Sequence, residues 1–211
     1  MQTPNREKQK LATARSILLT PHGLDDARLI EVLGTIFTHQ VDYADLYFQF
    51  TKNESWSLDE GIVKTGSFSI DQGVGVRAVS GDRTAFSYSD EISLQALLAA
   101  SETTRTIARQ GAGQVRVASS TRPVTGHDLY LQADPLQSFP AAQKVAILEK
   151  IDRQAKAADP RIVQVMAGLA GEYDVVLVVR SDGALAADIR PLVRLSVTVI
   201  AEQDGRREMG T

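Results

Sequence analysis

The stretch Asp42–Asp90, DYADLYFQFTKNESWSLDEGIVKTGSFSIDQGVGVRAVSGDRTAFSYSD, decides the fold. Leu46, Phe48 and Phe50 alternate with Asp45, Tyr47 and Gln49, which is the two-residue period of a half-buried strand. Beyond Thr51 the pattern predicts further short β segments at Glu54–Leu58, Gly61–Lys64, Gly66–Ile70, Val74–Val79 and Ala85–Tyr88. Gly61, Gly73 and Ser80-Gly81-Asp82 supply the turns between them.

Outward from this sheet the period changes. On the N-terminal side Leu29, Val32, Leu33, Ile36 and Phe37 fall on one helical stripe, with Asp25 and Asp26 where negative charge suits a helix start. Residues 1–23 read as a flexible N-terminus, its first ten residues polar and frayed, with a short helix over Leu11–Leu19 before Pro21. On the C-terminal side Asp90 is expected to cap a helix carrying Leu94, Leu97, Leu98 and Ile107. Residues 24–110 therefore form a first module.

Residues 111–137 are rich in Gly, Pro and small polar residues and read as a segment crossing to a second module over 138–211. That module opens at Ser138 and Pro140 with a helix whose stripe is Ala141, Val145, Leu148 and Ile151. Strands follow, with alternation at Val163, Val165, Ala167 and Leu169, an apolar run Val175–Val179 flanked by turns at Gly171 and Asp182-Gly183, and alternation at Leu195, Val197 and Val199. Pro191 is best placed at a strand start. The last residues, Asp204–Thr211, are polar and turn-like. The class is α+β, built as two successive helix-plus-antiparallel-sheet modules.

Composition narrows the function. The chain has 211 residues, 43% hydrophobic and 23% charged, enough for a packed core. A formal net charge of −3 gives no electrostatic case for nucleic acid. With no cysteine there are no disulfides, thiolate nucleophiles or zinc–sulfur ligands within these residues. No stretch has the continuous apolar core of a signal peptide or a membrane span. A soluble, cytoplasmic protein with no membrane partner is expected.

Several patterns invite chemistry and have plainer readings. Gly73-Val74-Gly75-Val76-Arg77-Ala78 is a loose dinucleotide fingerprint, but β-like residues follow where a helix must begin, so the glycines are expected to permit close backbone approach. His22, His39 and His127 lack helical metal-site spacing and read as surface or helix-end residues, His39 in the last turn of a helix. The carboxylate pairs Asp25/Asp26, Asp59/Glu60 and Asp90/Glu91 read as solvated caps and turns. Trp56, the one tryptophan, reads as a core or interface anchor. Asp71, Arg77, Arg83 and Tyr88 cluster in the glycine-punctuated hairpins and are the candidates for peptide or partner contact. Local salt bridges and turn hydrogen bonds are their plainer alternative.

The quoted stretch also resembles the N-terminal region of the TldD (PmbA/TldD) family of bacterial zinc metallopeptidases. The segments DYADLYFQ, ESW, GSFSIDQGVGVRAVSG, ADPLQS and DGALAADIRPLVRLSVTV carry the likeness, from about Leu24 to Gly210. The resemblance implies a parent protein that pairs with a TldE/PmbA-type subunit as a heterodimer and cleaves unfolded peptides with zinc. Its HExxxH motif is missing from these residues. No catalytic or metal residue is carried over, and the segment alone is expected to be inactive and to bind no zinc. It is expected to supply scaffold, partner interface and part of a peptide cleft, and to self-associate where an apolar patch lies open. The competing reading is a stand-alone, non-catalytic interaction module. A nucleotide-dependent enzyme, resting on the glycines alone, is a distant third.

Overall fold

The computed structural model describes residues 3–37, 41–107, 117–124 and 129–211. The elements are α1 (Thr3–Leu18), a short 3-10 turn (Thr20–His22), α2 (Asp26–Ile36), β1 (Tyr43–Asp59), β2 (Ile62–Ser80), β3 (Arg83–Ser89), α3 (Leu94–Ile107), β4 (Arg122–Pro123), α4 (Ala141–Ala158), β5 (Ile162–Arg180), β6 (Ala184–Gln203) and β7 (Arg206–Gly210). The strands form one sheet in the order β3-β2-β1-β5-β6-β4, with β7 also on β6. The α+β class holds. The β2–β3 and β6–β7 pairs are antiparallel, while β4 is a two-residue parallel addition, Arg122 opposite Ala184.

The short β segments merge into long strands. β1, β2, β5 and β6 have 17, 19, 19 and 20 residues. Gly73 and Gly171, expected as turns, lie inside β2 and β5. Their neighbours explain why strand glycine is tolerated. A Cβ on Gly73 would sit 2.8 Å from the Ser89 carbonyl oxygen, and one on Gly171 would lie 3.4 Å from Leu136 Cδ1. Turns do fall at Gly61, Gly81 and Asp182-Gly183, as expected, and Glu60-Gly61 (φ 53° and 76°) and Asp204-Gly205 (φ 52° and 77°) both take the left-handed values of tight hairpins. The polar end expected after Gln203 is thus a hairpin returning as β7.

Two compact units are each built from several segments: residues 1–51, 71–131 and 174–189 form one, and residues 52–70, 132–173 and 190–211 the other. In the first unit, alternation buries Ala44, Leu46, Phe48, Val74, Val76, Ala78 and Ala85. Helix α3 packs against β3 and α2. Leu29, Val32, Leu33 and Ile36 of α2 are fully buried, as their spacing predicts, and Asp25 caps the helix by accepting from the Arg28 amide at 2.9 Å. Ser93, rather than Asp90, caps α3, its hydroxyl accepting from the Ala96 amide. The face α3 buries is Leu97, Ala100, Ser101 and Thr104, while Leu98 is exposed.

Helix α1 starts at Thr3, well before Leu11. Its buried stripe of Glu7, Lys10, Leu11, Ala14 and Leu18 includes two charges, which hid it from a hydrophobic pattern. Lys10 pairs with Glu7 at 3.4 Å and with Asp188 at 3.8 Å.

In the second unit, α4 packs Leu148 against Leu58 and Ala167, with Trp56, Ile151 and Leu169 around them. Its inward face is Lys144, Leu148 and Asp152, whereas Ala141 is exposed. Lys144 is accommodated by Glu54 Oε2 and the Leu136 carbonyl, both at 2.6 Å. Pro191 lies within β6. Near its other end the Glu202 amide donates to the Arg161 carbonyl.

Three outcomes are expected. Gly73→Ala forces a Cβ into backbone and should destabilise by about 1–3 kcal/mol in urea unfolding. Gly34→Ala, in α2 with nothing within 4 Å, should stabilise by roughly 0.5–1 kcal/mol. At the end of α4, three side-chain contacts to Arg161 and its amide hold the exposed Asp159 carboxyl down to about 2, below the usual 3.8. A depressed folded-state value means the contribution is present above the ordinary pKa and is lost as pH falls through 2. An NMR titration should show this midpoint, and Arg161→Ala should return it toward 3.8.

Candidate functional site

The strands of the first unit have a second side, set by the same alternation that builds the core. Asp45, Tyr47, Gln49 and Thr51 of β1, Gly75 and Arg77 of β2, Phe86 and Tyr88 of β3, and Asp174 of β5 occupy the positions between the buried apolar ones. A cleft of about 560 Å³ opens there, lined by Tyr47, Gln49, Thr51, Asp71, Gly75, Phe86, Tyr88 and Asp90 among others.

Its rim is aromatic. Phe86 and Tyr88 are 58% and 75% exposed and stack with centroids 6.3 Å apart and planes 22° from parallel. Phe86 lies over Gly75, where a Cβ would fall 2.8 Å from the ring. The glycine pair thus admits a neighbouring backbone and a ring, and β2 continues as strand through the fingerprint-like sequence with no helix to hold a pyrophosphate.

Its wall is acidic. Asp174, buried at 6% exposure, accepts hydrogen bonds from Gln49 Nε2 (2.9 Å) and Thr51 Oγ1 (2.8 Å). Both donors line the cleft, so the carboxylate orients them. Asp71 and Asp90 are exposed on the same lining.

Beside the cleft lies a second cluster. Asp45, 5% exposed, accepts two hydrogen bonds from the Arg77 guanidinium, from Nε at 3.0 Å and from Nη2. The guanidinium groups of Arg77 and Arg180 each lie 5.6 Å from the Tyr43 ring centre. Burial, then the hydrogen bond with Asp45, pushes the Tyr43 hydroxyl pKa up. The bond to Asp45 raises that of Arg77, holding the guanidinium charged.

Of the four sequence candidates, Asp71 and Tyr88 meet on the cleft. Arg77 is on the same side but is engaged by Asp45. Arg83 opens β3 opposite Ser80, exposed at the hairpin turn. Phe86, Gln49, Thr51, Asp45, Asp174 and Tyr43 were missed. The alternation signalled which side of β1 Tyr43, Asp45, Gln49 and Thr51 occupy, but nothing local pairs Asp174 with Gln49, 125 residues away.

The other candidates take structural roles. His22 ends the 3-10 turn, while His39 and His127 lie outside the described residues. Asp26 binds Arg15 and the Thr121 hydroxyl, Asp59 accepts from Gln164, and Glu60 forms a turn. Trp56 packs beside the second unit's core, its indole N–H donating to Glu54. Among the described residues no group of three or more His, Asp or Glu side chains can hold a metal ion. The residues described thus do not fit a metal centre.

Removing the guanidinium strands a buried carboxylate. Arg77→Met should destabilise by about 1–2 kcal/mol in denaturant unfolding, and Asp45→Asn in the same background should recover part of it. Equal losses that simply add would show that the two side chains do not interact.

Residues 44–108 match the family model described as PmbA/TldA metallopeptidase domain 1, and residues 134–211 match the PmbA/TldA metallopeptidase central domain. The chain is 44% identical over 194 residues to the metalloprotease TldD homolog of Haemophilus influenzae, covering 92% of this chain and 40% of that protein. It therefore spans about 40% of the length of the curated relatives it matches. Among solved structures, a Bacteroides thetaiotaomicron protein described as a modulator of DNA gyrase matches 86% of this chain and 42% of its own (TM-score 0.64, 15% identity). TldE from Thermococcus kodakarensis matches 85% and 40% (TM-score 0.59, 13% identity). These structural likenesses speak for the fold alone. The chain belongs to the PmbA/TldD metallopeptidase family and carries its first and central domains.

Proposed function

We propose that this chain is the N-terminal scaffold and contact region of a TldD-type zinc metallopeptidase that cleaves unfolded peptides as a heterodimer with a TldE-type subunit. The observation that carries the reading is 44% identity to a TldD homolog over 92% of the chain, with only 40% of that protein spanned. On this reading the zinc ligands and the catalytic machinery lie in the part of the protein not spanned here. The successive modules 24–110 and 138–211, joined by 111–137, belong to the same reading, supported by the two family-model matches. So does a cytoplasmic setting, supported by a cysteine-free composition.

The cleft beside Phe86 and Tyr88 is the proposed contact face for peptide or partner. Exposed aromatics next to Arg are the composition of protein interfaces. The acidic lining of Asp71 and Asp90, with orienting Gln49 and Thr51, suits a polypeptide that offers amide groups and basic side chains. Among the described residues no helix is long and apolar enough to cross a membrane.

The second reading, a stand-alone interaction module, is favoured by the same open aromatic face. A peptidase assay on an unfolded peptide with added zinc separates the two. This chain should be inactive, and the product of a longer reading frame should be active with its partner and chelator-sensitive. In that product, Phe86→Ala with Tyr88→Ala should lower kcat/KM or partner affinity about 10-fold with little loss of stability. Chelator-sensitive cleavage by the 211-residue chain alone, or no cleavage by the longer product, would overturn the proposal.

A further inference from the structure

The cleft of the first unit gathers negative charge with no cation to answer it. Gly73 and Gly75 occupy successive same-side positions of β2, and the side chains they lack leave a gap between Gln49 and Thr51 on β1 and the Phe86–Tyr88 stack on β3. Asp71 and Asp90 line the same gap, both exposed, and neither carboxylate has an ion pair or hydrogen bond among the described residues. Asp174, 6% exposed, stands behind Gln49 and Thr51 and likewise has no ion-pair partner among the described residues. A carboxylate can only accept, so Gln49 must give it Nε2 and keep Oε1 as a free acceptor. Thr51 commits its O–H to the same carboxylate and keeps a lone pair. Among the described residues, none that lines the cleft is basic. Arg77, next after Gly75 on this side of β2, has its charge answered by Asp45.

We propose that this cleft is a specificity pocket for an arginine side chain of an unfolded polypeptide, its guanidinium lying against the Phe86–Tyr88 stack and donating to Asp71 and Asp90. The inference rests on the reading of the cleft as a peptide contact face and goes further by naming the side chain recognised. A guanidinium is planar, weakly hydrated and always charged. It can therefore lay its face on an aromatic ring while its in-plane N–H groups reach several acceptors. The compact, strongly hydrated ammonium of lysine makes the point-charge contact alone. A neutral apolar side chain gains the ring contact and leaves the acceptors unused. Asp174 acts as a positioning residue: it turns the Gln49 amide and the Thr51 hydroxyl so that they present acceptors, and its buried charge is screened little by salt.

An NMR titration of the Phe86 and Tyr88 ring signals tests the pocket directly. The probe is an end-blocked glycine–serine peptide with one central arginine, compared with the same peptide carrying lysine or citrulline, the uncharged isostere of arginine. At low ionic strength the arginine peptide should bind about 10-fold tighter than the citrulline peptide and about 3-fold tighter than the lysine peptide. The margin over citrulline should shrink as salt rises. Asp71→Asn combined with Asp90→Asn, both exposed positions, should remove most of that margin without moving the urea midpoint. Equal affinity for the arginine and citrulline peptides overturns the proposal, as does a margin that survives the paired substitution. Rings that shift equally with all three peptides keep the cleft as a peptide contact face and sink only its selection for arginine. Rings that shift with none of them sink the pocket and the peptide-contact reading together, while the peptidase reading still stands or falls on the zinc-dependent assay of the longer product.

Discussion

The constraint on which the rest depends is strand continuity. β1, β2, β5 and β6 each run 17 to 20 residues without a loop, so a side chain's side is fixed by parity over the whole strand. In the first unit this parity puts Ala44, Leu46 and Phe48 into the core and leaves Tyr47, Gln49 and Thr51 on the cleft. A one-residue slip would exchange the two sets, burying the polar groups and exposing the apolar ones. The tight turns at Glu60-Gly61 and Asp204-Gly205 are what hold the register.

Continuity is bought at the glycines. A strand glycine ordinarily weakens a sheet because it loses more backbone entropy and packs no side chain. Here the missing Cβ is space that a neighbour uses. The Trp56 ring lies where a Cβ on Gly66 would fall, 2.7 Å from its Cζ3, and Phe86 does the same at Gly75. Covering a strand glycine with a cross-strand aromatic restores much of the lost burial. The same arrangement leaves the Phe86 ring flat and exposed beside Tyr88, so a device that keeps β2 intact also builds the aromatic rim.

These glycines also explain what the sequence could and could not reveal. At Leu29, Val32, Leu33 and Ile36 the apolar spacing made both the element and its buried face legible. Gly73, Gly171 and Pro191 are punctuation by local rules, and only neighbours distant in sequence show that the strands pass through them. The first turns of helix α1, ahead of the expected Leu11–Leu19, were missed because Glu7 and Lys10 are buried as charges and read as solvent-facing. Asp71 and Tyr88 were found because polar residues crowded the hairpins. The Asp45–Arg77 pair and the Gln49–Thr51–Asp174 network depend on strand neighbours that no local pattern encodes.

The proposed function gives this chain contact and scaffolding and leaves metal chemistry to the rest of a longer protein. Zinc stoichiometry measured by elemental analysis after gel filtration, on this chain and on the product of a longer reading frame, tests that division most directly. The predicted result is no retained zinc in the 211-residue chain and one ion per longer chain. Stoichiometric zinc retained by the 211-residue chain alone would contradict it.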